Sequence, residues 1–163
     1  MKKSTIVLIV AAVVCLGLSA FSLKASVSRT DKAIAAIGEV TYTDKCKEKI
    51  DRAVEYYNAL DPNFNLKDKI ENKKEFDTAK IEYARLAIKA ASVADARKTA
   101  EGYSSDDVKK YVTEARAVVD SYLTPDQYAL VENYADLTAL ESEYTSTGGS
   151  GGGDSEEVSI PMC

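Results

Sequence analysis

The stretch Val108-Lys109-Lys110-Tyr111-Val112-Thr113-Glu114-Ala115-Arg116-Ala117-Val118-Val119-Asp120-Ser121-Tyr122-Leu123 decides the fold class of this chain. Val108, Tyr111, Val112, Ala115, Val118, Val119, Tyr122 and Leu123 follow the i, i+3, i+4, i+7 recurrence of one helix face. Lys109, Lys110, Glu114 and Arg116 fall elsewhere on the helix surface. Upstream, Ser104-Ser105-Asp106-Asp107 supplies hydroxyls and acids suited to the positive end of a helix. Downstream, Thr124-Pro125-Asp126-Gln127 reads as the opening of another helix. Thr124 would cap it, Pro125 would take the first position and Gln127 would complete a capping box. That helix is expected to carry Leu130, Tyr134, Leu137, Leu140 and Tyr144 on its apolar face.

The same plan stands earlier in the chain. Cys46, Ile50, Ala53, Val54, Tyr57 and Leu60 form one stripe, ending at Asp61-Pro62-Asn63. A helix from about Leu66 would then carry Ile70, Phe76, Ala79, Tyr83, Ala87 and Ala90, with Lys73 where Tyr134 stands later. Glu71-Asn72-x-x-Glu75-Phe76 matches Glu132-Asn133-x-x-Asp136-Leu137, Glu82-Tyr83 matches Glu143-Tyr144, and Leu60 matches Leu123. The first connecting loop is two residues longer, and Gly38 and Gly102 each end a short leading helix. The expectation is an all-α chain of two tandem three-helix repeats, over 30–101 and 84–146, sharing one long central helix. Ala84 to Ala100 would let neighbouring helices approach closely, and Ser92 is the expected place for that helix to bend or break.

Ile34-Ala35-Ala36-Ile37-Gly38-Glu39-Val40-Thr41 leads into the first stripe. Val131-Glu132-Asn133-Tyr134-Ala135-Asp136-Leu137, continuing through Leu140-Glu141, stands in the last helix. These segments resemble the three-helix repeats of secreted Gram-positive surface proteins, in the style of FIVAR modules, across most of residues 33–144. The resemblance implies a helical repeat fold and spacer, adhesion or carbohydrate-adjacent surface roles. Two departures stand beside it. Glu101-Gly102-Tyr103-Ser104 replaces the turn motif in the second copy, and no LPxTG-type sorting signal is present after it.

At the other end, Lys2 and Lys3 precede Thr5 to Leu23, a run without a charge. A basic start, an apolar stretch and small residues near Ala20, Ser22 and Ala25 make residues 1–25 an expected signal peptide. Left uncleaved, the same run could just span a membrane of roughly 30 Å and act as an anchor. Either way the rest of the chain is expected outside the cell. Cys15 comes after Val14, a poor fit to a lipid-attachment site, and reads as an apolar residue of that run. Residues 147–163 form a Gly-rich flexible tail ending in Val158-Ser159-Ile160-Pro161-Met162-Cys163.

Composition narrows the function. The chain has 163 residues and no His, so it lacks the commonest general base and metal ligand. Leaving out the first 25 residues takes the net charge from −5 to −8. An acidic body does not favour nucleic acid or an anionic membrane surface. A membrane partner is expected only through an uncleaved N-terminal segment. The acidic clusters Asp106-Asp107, Glu141 with Glu143, and Glu156-Glu157 read as helix starts, solvated faces and tail rather than a converging carboxylate pair. Cys46 reads as a small buried hydrophobe, and Cys163 as a thiol on a tether. Most of the Tyr residues, among them Tyr56, Tyr57, Tyr83, Tyr122, Tyr134 and Tyr144, keep helical spacing and read as core, with any exposed subset a candidate binding face.

No catalytic, cofactor-binding or metal-ligating residue is expected, no cofactor is called for, and the chain is not expected to be an enzyme. It reads as an exported surface module acting as a spacer or protein-binding domain toward a protein or cell-surface partner. The alternatives are a soluble secreted binder or inhibitor and, further off, a carboxylate-based hydrolase.

Overall fold

The structure, a computed structural model, describes residues 22–101 and 104–145. Residues 1–21, Gly102-Tyr103 and residues 146–163 lie outside the described residues, and with them most of the expected signal segment and the Gly-rich tail. Within the described residues the fold is all-helical. The first helix, α1, covers 22–35 and closes at Gly38, whose φ of +67° is the left-handed turn that glycine adopts without steric cost. Thr43 caps α2, Asp44–Asn58, by accepting from the Cys46 amide at 3.3 Å.

The long helix α3, Lys73–Glu101, is the spine. At 29 residues it is about 43 Å long. Its Phe76, Ala79, Tyr83 and Ala87 are buried, and so are Ala84, Ile88 and Ala91 on an adjoining face. A helix buried on more than one face must have neighbours on more than one side. It packs against α4, Ser105–Tyr122, and α5, Tyr134–Thr145, and meets α2 as well. Alanine on these faces keeps the backbones close. The helix runs without a break through Ser92, whose hydroxyl donates to the Ile88 carbonyl at 3.2 Å. Of the expected bend or break at Ser92, the break is corrected: the backbone stays helical through that residue, held by its neighbours on several sides.

The start of α4 is as the sequence predicts. Ser104 Oγ accepts from the Asp107 amide, and the Asp107 carboxylate accepts from the Ser104 amide at 3.1 Å. Val108, Val112, Ala115, Val118, Val119, Tyr122 and Leu123 are all buried. Thr124 and Gln127 form the second capping box, but the segment they open is a 3₁₀ turn, Pro125–Leu130, rather than an α-helix. Val131 is then extended at φ −87°, ψ 109°, and the α-helix starts only at Tyr134. The break rotates Val131 inward, 3% exposed, and turns Leu130 out to 60%. Leu130 is thus not part of the apolar face expected of it. The expected helix from Leu66 is corrected in the same way. Two short 3₁₀ turns, Pro62–Phe64 and Leu66–Lys69, precede an extended Ile70, and α3 starts at Lys73. Between those turns Asn65 adopts φ +49°, a left-handed conformation that Asn tolerates better than most residues. The longer first loop absorbs its extra length there.

Among the described residues no helix is long and apolar enough to cross a membrane. Leu23 and Val27 of α1 pack against the core, so the helix at the end of the uncharged run is docked on the body.

Candidate functional site

The acidic clusters are placed as structural elements. Asp107 is a cap, and its bonds to Ser104 hold its carboxyl below the usual range. Glu141 receives the Arg116 guanidinium through both oxygens, at 2.5 and 2.6 Å, joining α5 to α4. That bond, aided by Tyr134, pushes the Arg116 pKa up. Glu143 sits beside the phenol of Tyr144 on exposed helix surface. Glu156-Glu157 lies outside the described residues.

The tyrosines cross-link helices. Tyr122 donates to Asp51 of α2 at 2.6 Å, and its ring lies 5.9 Å from that of Tyr83, itself 5.5 Å from Tyr42. Tyr144 donates to Asp95 and receives Lys98 at 3.1 Å. Burial raises the phenols of Tyr42, Tyr83 and Tyr122, with Glu114 adding at Tyr42 and Asp51 at Tyr122. Tyr83 is pushed up to about 12. These groups stay protonated near neutrality, and Tyr122 acts as a donor to Asp51. All nine tyrosines whose side chains are described are buried or half-buried, so an exposed tyrosine face is not among them. Cys46 is a buried free thiol, as its place on the stripe predicts.

Surface concavities lie elsewhere, against α1. Between α1 and α2 lies a cleft of about 550 Å³. Arg29 and Lys32 line it from α1, and Lys49, Arg52 and Tyr56 from α2. Each cation pair has i, i+3 spacing, which places both members on one helix face. The Arg29 guanidinium stacks over the Tyr56 ring at 3.8 Å, which limits its rotamers. Lys49 donates to the Ile37 carbonyl at 3.4 Å. Among the described residues no acid lines the cleft. None of the four cations is ion-paired among the described residues, whereas Lys47, Lys80, Arg85 and Arg116 each have a carboxylate partner. On the other side of α1 a groove of about 680 Å³ mixes Leu23, Val27 and Leu66 with charges of both signs.

Compared with family models, curated proteins and solved structures, the chain matches none.

Sequence reasoning missed the basic cleft. Its cations come from two helices separated by a turn, and the i, i+3 spacing on each helix was the one local signal.

Proposed function

We propose that this chain is an exported, non-catalytic helical module that works as a spacer or protein-binding domain at the cell surface. The observation that carries the reading is α3, a continuous helix of 29 residues on which α4, α5 and α2 all rest. Such a spine holds its two ends at a fixed separation, which a stalk or presenting scaffold requires. Two hairpins that both pack on α3, each with a Pro-containing 3₁₀ turn between its helices, are read as tandem copies of one unit. The leader Lys2-Lys3 with Thr5 to Leu23 supports export. The resemblance to three-helix repeats of Gram-positive surface proteins supports the same setting. The ionisable side chains support a mechanical role, since Asp107, Glu141, Asp51 and Asp95 are engaged as caps and cross-links.

The test is the intact mass of the protein in cell-associated and medium fractions of its host. A full-length mass in the membrane fraction is expected for a tethered spacer. A mass starting near Ser26 in the medium would favour a secreted binder instead. A full-length mass in the cytosol would refute export.

A further inference from the structure

We infer that the cleft between α1 and α2 is a binding site for a single phosphoryl group, held by Arg29, Lys32, Lys49 and Arg52. The inference goes beyond the spacer reading and does not depend on it. Four cations facing one cleft repel one another, and no lining carboxylate among the described residues offsets them. The fold maintains this concentration although the chain as a whole is acidic, with 26 acids against 21 basic residues. An anion in the cleft relieves the repulsion. Two guanidiniums offer forked donors that match an oxyanion in two-pronged geometry, and two ammoniums add charge. A phosphoryl group carries the multiple oxygens and charge that four cations can share, where a lone carboxylate carries only one charge.

The surroundings limit the ligand to a compact group. An extended polyanion such as nucleic acid would continue past the cleft onto acidic surface and be repelled. The Arg29–Tyr56 stack favours binding by holding one fork in place before the ligand arrives. The shared chemistry can come from a soluble phosphate compound or from the headgroup of an anionic lipid. The headgroup source has a geometric basis. Arg29 and Lys32 lie 6 and 9 residues beyond Leu23, where the uncharged run ends. On a helix that is about 9 and 14 Å, within roughly a Debye length or two of where a retained segment would leave the bilayer.

The test is calorimetric titration of the full-length chain in neutral detergent micelles. One arm adds inorganic phosphate, with chloride at matched ionic strength as baseline. The other uses micelles doped with phosphatidic acid, whose phosphomonoester headgroup matches the soluble probe. Lys32→Glu and Arg52→Glu are compared with Lys109→Glu, and since all three side chains are exposed, circular dichroism should show the fold unchanged. The expected result is phosphate binding above the chloride baseline, weakened about tenfold or more by Lys32→Glu or Arg52→Glu and unaffected by Lys109→Glu. Binding confined to doped micelles, with the same dependence on the two cleft residues, assigns the group to a lipid headgroup. Binding in neither arm, binding matched by chloride, or binding indifferent to Lys32→Glu and Arg52→Glu overturns the inference.

Discussion

The hairpin around α2 and the hairpin of α4 and α5 share similar sequence plans and are held by different chemistry. Val119, Leu137 and Tyr144 fill the core of the later one. Across its surface runs a polar lattice in which Arg116 reaches Glu141, Asp120 and the Tyr134 hydroxyl, and Tyr128 donates to Asp120. At matched spacing the earlier hairpin has Ala53 in place of Arg116 and Lys80 in place of Glu141. There the contacts are aromatic. Tyr57 lies 5.3 Å from Phe76, with Lys67 and Lys80 over their rings. The earlier hairpin also has α1 beside it, anchored where the Asp31 carboxylate accepts from the Asn72 amide at 3.2 Å. One backbone plan thus tolerates either a salt-linked or an aromatic outer layer, provided the buried apolar positions are kept.

That common requirement gives the largest expected effect. Val119→Asp and Leu137→Asp each bury an unpaired charge at a position with no exposure, and Phe76→Asp does so at 1%. Each should cost several kcal/mol, on the order of the stability of a small domain, and unfold it. Lys109→Asp, on exposed surface, should stay within about 0.5 kcal/mol. Urea titrations followed by circular dichroism decide it, and equal tolerance at all four positions would break the comparison at its base.

Alkaline pH should come next, because it acts on tyrosines that join the two hairpins. The folded pKa of Tyr83 is raised from 10.0 to about 12. A raised folded pKa means its contribution is complete below about pH 10 and is lost as pH climbs toward about 12. Thermal melts should therefore be level from pH 6 to 9 and fall by several degrees over pH 10–12. With no His in the chain, no titration of that residue intervenes. A melting temperature unchanged to pH 12 would mean that the phenols are not held as described.

The difference in outer layers is sharpened by Arg116→Ala, which should cost about 1–2 kcal/mol because it removes a two-pronged bond between helices. Arg85→Ala removes only an i, i+3 pair within α3, partly exposed, and should cost clearly less than Arg116→Ala. The first loss should shrink in 1 M salt, since both partners are partly exposed. A smaller test concerns the longer loop of the earlier hairpin. Asn65→Ala should cost about 1 kcal/mol through the left-handed backbone there, and Asn65→Gly should be close to neutral.

What the sequence made legible was local. The Ser104–Asp107 and Thr124–Gln127 boxes and the Gly38 turn arise from chemistry within four residues. The buried face of α4 comes from its period alone. The breaks at Ile70 and Val131 were hidden because one extended residue inside an apolar stripe does not disturb the pattern. It only moves burial from Leu130 to Val131. The Arg116–Glu141 pair, 25 residues apart, and the cleft formed by α1 and α2 required the packing of separate helices. Charge totals worked against finding that cleft, since an acidic average conceals a local basic cluster.

A spacer needs α3 to serve both hairpins as one rigid element, and amide hydrogen exchange along it tests this most directly. Continuous protection is expected from Phe76 through Ala94, slowest around Ala84 to Ala91, with the amides of α2 and α4 opening together with α3. Two separately exchanging halves, divided near Ser92, would contradict it.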